Sequence, residues 1–440
     1  MSLETPLKIR SLQRKLYCKA KAEPAFRFYL LYDKICREDI LRHAYALARA
    51  HAGAPGVDGQ TFAAIAASGA EDWLAGLRQE LVRKTYRPAP VRRVMIPKPG
   101  GGERPLGIPT IRDRVVQTAA KLVLEPIFEA DMEASAYGYR PGRGGTDPVK
   151  EVHRLLLRGY TDVVDADLSK YFDTIPHSEL LKSVARRIVD RHVLRLVKLW
   201  LKAPIEETDG EGRRRLRGGN SSTRGTPQGG VVSPLLANLY MNRFLKHWRK
   251  TGCGEAFRAH VINYADDFVI LSRGHAAEAM AWTKAVMTRL GLTLNEAKTS
   301  LRDARRERFD FLGYTFGPEY HRNRGYRYLS ASPSKKSIRR LKEKVSRLLV
   351  PGNLDPWPDV RDRLNRLLRG WSRYFGYGTR LMAYRAIDSH VCDRVRHFLR
   401  RRSKVPGRGA RRFSATEVFE TYGVLRLRRV HLGPPPCAVR

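Results

Sequence analysis

Two sets of aspartates lie where carboxylates are unusual. Asp167 falls in the apolar run Val163-Val164-Asp165-Ala166-Asp167-Leu168, and Asp266-Asp267 sits between Val261-Ile262 and Phe268-Val269-Ile270. Alternate residues of an extended chain share a face, so Val163, Asp165 and Asp167 line one side and Val164, Ala166 and Leu168 the other. Adjacent carboxylates at a strand turn repel each other unless a cation lies between them. Two divalent ions about 4 Å apart, bridged by such groups, would activate a hydroxyl and stabilise departing pyrophosphate in a phosphoryl transfer. Carboxylate oxygen and water are the ligands Mg2+ prefers. Neither feature decides alone: an Asp-Asp pair in a turn is ordinarily solvated, and a lone strand Asp is ordinarily an edge residue.

These carboxylates need strands and turns to hold them. The segment 161–175 is rich in β-formers and turns helical after Pro176, and 256–272 reads as two short apolar runs about a polar turn, a buried hairpin. Residues 91–96, the glycine turn 97–103 and the run Arg104–Pro109 predict a strand, a tight turn and a returning strand. Ile111–Phe128 predicts an amphipathic helix, and 203–222 a polar surface hairpin. In the first 50 residues, Thr5-Pro6 is placed to open a helix, and Asp39 to cap one that Gly53 stops. The loop 52–59 follows.

The chain has 440 residues, 83 Lys+Arg against 44 Asp+Glu, a net charge of +39, and 42% hydrophobic content. That apolar fraction excludes disorder as the main state. No run approaches the ~18 apolar residues of a membrane span. The charged N-terminus has no apolar stretch, so no secretory signal is expected. Cys18, Cys36, Cys253, Cys392 and Cys437 are widely spaced, which disfavours a disulfide scaffold or zinc module and suits a reducing cytosol. Such a positive surplus calls for a polyanion, with nucleic acid foremost. From Ala331 onward there are 27 basic and 8 acidic residues, a surplus of 19, which marks a boundary near 330.

Order along the chain turns these pieces into a pattern. Asp167-Leu168-Ser169-Lys170-Tyr171-Phe172-Asp173, the run Gly225–Asn238 with Pro227-Gln228-Gly229-Gly230, Tyr264-Ala265-Asp266-Asp267, Leu290–Thr299 and Phe309–Tyr314 follow one another. They resemble motifs A to E of a palm-domain reverse transcriptase. Gly53–Gly59, Ile96-Pro97-Lys98-Pro99, Arg104–Arg114, Tyr139-Arg140-Pro141-Gly142-Arg143 and Leu364–Trp371 with Tyr374-Phe375 narrow this to bacterial group II intron-encoded reverse transcriptase/maturases. The resemblance covers essentially the whole chain. Many relatives carry a Cys/His endonuclease, but this chain ends in GPPPCAVR without paired cysteines, as in the endonuclease-lacking branch.

The resemblance implies an α+β right-hand polymerase, with fingers and an antiparallel palm sheet, followed by an α-helical thumb/maturase X domain. The expected division is 1–90 for an N-terminal extension and fingers, 91–330 for the fingers/palm core and 331–440 for the basic helical part. Asp167 and Asp266 would hold two Mg2+ ions, Asp267 would support the ion near the primer terminus, and the Leu168 carbonyl would be a further ligand. Phe172, five residues after Asp167, would lie under the incoming sugar and exclude a 2′ hydroxyl; a core Phe at a strand end is the bland alternative. Lys98, Arg104 and Arg112 would fold over the triphosphate, unless the hairpin is merely a solvated basic one. Gln228 would meet the nucleotide or template base, with Gly229 and Gly230 allowing close backbone approach. Lys298 would act near leaving pyrophosphate or simply cap a helix end.

The last quarter reads as binding rather than reacting. Pro333–Val350 and Asp359–Phe375 predict helices, the second with an apolar stripe through Leu364, Leu368 and Trp371 that suits thumb core better than base stacking. Arg361, Arg363, Arg366, Arg369 and Arg373 fall mostly elsewhere and suit phosphate contacts, as do Arg401 and Arg402 and the run 408–412. Ser414 and Glu417 form a capping box. Residues 320–328 interleave Tyr320, His321, Arg322, Arg324, Tyr326, Arg327 and Tyr328, either a primer grip or a surface hairpin. Expected partners are structured intron RNA, an RNA template with DNA primer, target DNA and dNTPs, in a bacterial cytoplasm near the nucleoid and without a membrane. A domesticated or defence-associated relative copying another RNA would share every motif.

Overall fold

The computed structural model describes residues 3–97, 102–208, 210–211, 213–321, 325–407, 409 and 411–430. Lys98 with Gly100 and Gly101, Arg322, Arg324, Arg408 and the C-terminal GPPPCAVR lie outside them. No helix among the described residues is long and apolar enough to cross a membrane.

Three sheets organise the molecule. β1 (Val91–Pro97) and β2 (Glu103–Ile108) form the expected hairpin, Ile96 opposite Arg104. The polar insertion becomes β4 (Pro204–Thr208) and β5 (Arg214–Gly218), and β4 joins β1 in parallel, extending that sheet to β2-β1-β4-β5. β3 (Asp162–Asp167), β6 (Ala259–Tyr264), β7 (Asp267–Ser272) and β8 (Ser300–Asp303) form a second sheet in the order β6-β7-β3-β8, paired antiparallel throughout. β9 (Phe309–Phe311), β10 (Tyr314–Tyr320) and β11 (Arg327–Pro333) make the third. In the second sheet Val164, Ala166 and Leu168 pack into the largest apolar core, whereas Val163 packs with Tyr314, Phe316 and Phe375 on the other side. The period-two pattern of β3 thus feeds two cores.

The Ile111–Glu129 helix departs from expectation. It is buried on most faces rather than amphipathic: Val115, Val116, Ala119, Ala120, Val123 and Leu124 are each 0% exposed. The Leu7–Ala22, Glu38–Ala50 and Ser233–Lys250 helices all contact it. Polar residues at its start are satisfied internally. Thr110 caps the Asp113 amide at 3.2 Å, and the Asp113 carboxylate accepts from Tyr86 Oη at 2.7 Å and the Ala89 amide at 3.0 Å. Arg114 reaches the carbonyls of Pro109 and Ala54, so the Gly53–Gly59 and Arg104–Arg114 motifs are one contact. Helix starts also differ, by one and two residues: Pro6 and Arg37 occupy the N-cap positions, Asp39 pairs with Arg37 at 2.6 Å, and the Glu38–Ala50 helix ends before Gly53.

Beyond β11 the chain is helical: Lys335–Leu348, Trp357–Tyr374, Leu381–Arg402 and Ala415–Glu420. Leu364 and Leu368 are fully buried with Val391, Val395 and Phe413 in a separate core. Each such side chain contributes roughly 1.5–3 kcal/mol of apolar burial. The stripe on Trp357–Tyr374 is therefore core, and both halves of the Ser414–Glu417 capping box form.

Candidate active site

Register builds the acidic centre. Asp167 stands directly opposite Asp267 across β3 and β7, and Tyr264 opposite Asp267 across β6 and β7, leaving Ala265-Asp266 as a two-residue turn. Ala265 takes φ +59°, a left-handed value that needs support in a residue with a Cβ. Support comes from Ser135–Gly138. Asn263 donates its amide to the Ser135 carbonyl at 2.9 Å and accepts from the Tyr137 amide at 2.8 Å, and its side chain holds the Ala265 carbonyl at 2.8 Å. Gly138 passes so close that a Cβ there would lie 2.6 Å from the Ala265 nitrogen, and Asn238 holds the Gly138 carbonyl at 2.5 Å.

Asp167 is tied from the other side. Its carboxylate accepts from Lys298 Nζ at 3.1 Å and Asn295 Nδ2 at 3.3 Å. The backbone bonds Ser169 N to Thr293 O (2.9 Å) and Asn295 N to Asp167 O (2.8 Å) bracket Leu168 and bypass its carbonyl. Burial of the surroundings and then the charges of Asp266, Asp167 and Asp165 push Asp267 up to about 6, against relief from Lys298, although its own side chain reaches solvent. Asp165, two residues before Asp167 on the same strand face, is likewise raised to about 6, first by burial and then by Asp167 and Asp310, with Arg302 opposing.

As they stand, no three Asp, Glu, His or Cys side chains among the described residues are gathered into a metal-ligating set. Lys298 provides the positive charge at Asp167 instead. The donor chemistry nevertheless fits a hard divalent cation: carboxylate oxygens on adjacent strands, with Asp165 and Asp267 raised first by burial and then by neighbouring carboxylates, beside a Leu168 carbonyl that accepts no hydrogen bond among the described residues.

A cleft of about 780 Å³ opens over this centre, and Arg104, Asp167, Phe172, Gln228, Asp266 and Lys298 all line it. Arg104 Nε donates to Gln228 Oε1 at 2.9 Å, and Gln228 Nε2 donates to Asp173 Oδ2 at 3.3 Å, so three segments meet in one hydrogen-bonded chain. Phe172 is buried, its carbonyl holding the Thr226 amide at 2.7 Å. The Gln228 carbonyl accepts from the Gly107 amide at 2.5 Å, and a Cβ on Gly229 (φ +107°) would collide with the Gly107 carbonyl. Close approach at this glycine is thus used to join β2 to the Gln228 loop.

Not every expected residue reaches the cleft. Arg112 is a correction. It lies in the first turn of its helix, paired with Glu80, 4.9 Å over the Tyr86 ring and bonded to the Arg87 carbonyl at 3.1 Å, away from the cleft. Lys98 is outside the described residues, and Asp267 is not part of the cleft wall. Of the thumb arginines, Arg361 pairs with Asp362 and Arg363 with Asp355, whereas Arg366, Arg369, Arg373 and Arg401 are exposed. Arg402 lies 4.6 Å over Phe398 and bonds the Asn353 carbonyl at 2.8 Å. Tyr320 and Arg327 close the β10–β11 hairpin in a cation–π contact of 5.4 Å. Asp173, Asn295 and Asn238 were missed as positioning groups. They lie inside motifs A, D and B, where side-chain type alone signalled nothing.

A palm sheet carrying paired aspartates under a basic, glycine-joined hairpin defines a template-directed nucleotide polymerase. The model for reverse transcriptase (RNA-dependent DNA polymerase) matches residues 96–316, and that for the group II intron maturase-specific domain matches 338–415. The chain belongs to the reverse transcriptase family, as a bacterial group II intron reverse transcriptase/maturase. Protein YkfC of Escherichia coli is 33% identical over 75% of this chain and 93% of its own length. The group II intron-encoded protein LtrA of Lactococcus lactis is 34% identical over 50% of this chain and 35% of its own length. An uncharacterized 91 kDa protein in the cob intron of Schizosaccharomyces pombe is 25% identical over 68% of this chain and 45% of its own. This chain thus spans less than half of each of the last two. Among solved structures, a Candida albicans telomerase in complex with a telomeric RNA fragment matches 82% of this chain and 71% of its own at 12% identity and a TM-score of 0.42, a likeness too slight to argue from.

Proposed function

We propose that this RNA-directed DNA polymerase extends a DNA primer with dNTPs on an RNA template by two-metal phosphoryl transfer, and binds its intron RNA as a splicing maturase for retrohoming into target DNA. The observation that carries the reading is the register that sets Asp167 against the Ala265-Asp266-Asp267 turn at the head of the cleft. Asp167 and Asp266 would hold two Mg2+ ions, with the Leu168 carbonyl as a further ligand and Asp267 in support. The ions, when bound, supply activation of the primer hydroxyl and charge neutralisation on the leaving pyrophosphate.

The chain's own residues do the rest. Lys298, now against Asp167, would turn to the leaving phosphates when metal occupies the carboxylates. Arg104 would meet the triphosphate from β2, joined there by Lys98, and Gln228 would exchange Arg104 for the nucleotide or template base. Phe172 would occupy the space a 2′ hydroxyl needs. Arg366, Arg369, Arg373, Arg401 and Arg402 would track phosphates of template–primer or intron RNA. The division at 90 and 330, and a cytoplasmic, nucleoid-associated setting, belong to the same reading.

The test is sequencing of RNA co-purified with the protein, followed by primer extension on that RNA with dNTPs or NTPs. Extension with dNTPs and recovery of a folded intron RNA are expected. Recovery of an unrelated RNA would favour a domesticated or defence role, and no extension with dNTPs on any RNA template would leave only the binding function. Phe172→Ala should raise ribonucleotide incorporation; unchanged sugar selectivity would remove that role.

A further inference from the structure

Away from the cleft, the Arg191–Leu201 helix carries a stripe of cations. Arg191, Arg195, Lys198 and Lys202 are spaced 4, 3 and 4 residues apart, one face of a helix, while Val193, Leu196, Val197, Trp200 and Leu201 bury the other. Lys84 and Arg87 stand exposed beside them. The helix has no acidic residue of its own. Its N-cap Asp190 is fully engaged, accepting from the amides of Leu31, Tyr32, His192 and Val193. None of the six cations forms an ion pair among the described residues; their polar contacts are carbonyls, as for Lys202 to Asn220 at 2.9 Å, or the His192 ring for Arg191. A merely solvated helix face ordinarily intersperses acids at i,i+4, because like charges at that spacing repel.

The surface around the stripe is hollowed. Three depressions of about 700, 580 and 330 Å³ follow one another along it, sharing Arg191, then Arg195 and Lys198. The last includes Ala203, which also lines the active-site cleft, so the track ends at its rim. The first is bordered by Tyr29 and Leu30, 63% and 62% exposed, and by the His192 ring, 5.3 Å from Tyr32. Burial first, then Lys84 and Arg191, hold His192 below its ordinary value, which keeps the ring neutral among cations.

We infer that this stripe and its apolar end form a docking track for an unpaired RNA strand, distinct from the template–primer cleft. The cations span about 16 Å at ~1.5 Å per residue, the length of a few nucleotides of extended single strand. Exposed Tyr29 and Leu30 at one end offer surfaces for bases that a paired duplex would hide. A peptide or lipid surface would use the charge but not this linear spacing beside rings. That the polyanion is RNA rests on the function proposed above.

The experiment uses the full-length protein. Arg191→Gln, Arg195→Gln and Lys198→Gln together are compared with Lys250→Gln, Arg258→Gln and Arg289→Gln, exposed cations outside the three depressions. The stripe variant should bind a ~20-nucleotide unstructured RNA about tenfold more weakly at 0.15 M salt. Its plot of log affinity against log salt should flatten by about 2, at ~0.7 per lost contact. Extension of a short template–primer whose template overhang is only a few nucleotides, too short to reach the stripe, should be retained, which also certifies the fold. Tyr29→Ala should weaken RNA binding about tenfold without altering the salt slope, the signature of lost stacking. Equal losses in both triple variants would reduce the effect to overall charge and overturn the track. So would an unchanged salt slope, or a DNA strand or anionic vesicle responding to the stripe as RNA does. Absence of extension in the unaltered protein would sink the proposed function while leaving the slope comparison readable.

Discussion

In the palm sheet Asp165, Asp167, Asp266 and Asp267 crowd within two strand ends, with Lys298 against Asp167. On the thumb, Arg366, Arg369 and Arg373 project from the Trp357–Tyr374 helix at i, i+3 and i+7 with nothing acidic paired to them among the described residues. The first region depends on register: sliding β3 by one residue against β7 would turn Asp167 to the other face and destroy the arrangement. The second depends on sign and exposure, so one arginine more or fewer alters its strength but not its nature. Geometry-limited and charge-limited sites should therefore fail differently.

The sharpest contrast comes from Asp266→Ala. Primer extension should fall by at least about 10³-fold, or ~4 kcal/mol of transition-state stabilisation, while RNA affinity by filter binding stays within twofold. Wild-type extension would end the assignment. Replacing Arg366, Arg369 and Arg373 together by Ala should do the reverse. Duplex affinity should drop ten- to a hundredfold and the salt slope by about 2.7, at ~0.9 per contact, with the maximal rate little changed. A loss of maximal rate at saturating duplex would erase the distinction.

A smaller effect tests the chain from Asp173 through Gln228 to Arg104. Asp173→Ala frees the Gln228 amide, and the KM for dNTP should rise about five- to tenfold, the scale of one net hydrogen bond. Template affinity should not move, and Asp173→Asn should restore part of the loss. The smallest effect concerns pH. Asp165 and Asp267 have folded-state values raised to about 6 from 3.8, so their contribution to stability is most favourable below about 4 and is lost as pH rises through 6. Mg2+ should therefore raise Tm more at pH 7.5 than at pH 5.0, by roughly a few degrees. Equal shifts at both values would mean that the carboxylates are not where the ion acts.

The two regions were also legible to different degrees. Alternating Val and Asp in β3 and the apolar arms around Tyr264–Asp267 announced strands, and hydrophobic spacing alone assigned Leu364 and Leu368 to a core. Whatever depends on contacts distant in sequence was hidden. Glu80, 32 residues before Arg112, draws that guanidinium away from the cleft. The Ile111–Glu129 helix looks amphipathic in sequence because Arg114, Gln117 and Thr118 are polar, yet these groups are buried. Arg114 meets carbonyls, and Gln117 accepts the Val231 amide at 2.9 Å. The reach of Asn238 and of the Ser135–Gly138 strut gave no signal, since Asn238 bonds a carbonyl 100 residues back and the strut supports a turn more than a hundred residues on.

The junction between Gly107 and the Gln228-Gly229 loop has a mechanical corollary. Because the base of the β1–β2 hairpin is fastened there, and again through β4, its root is a fixed pivot. Bending is confined to the stretch beyond Gly107 that carries Arg104. On the proposed reading, a hairpin that pivots at its root would carry Arg104 toward the nucleotide without disturbing the floor on which the primer would rest.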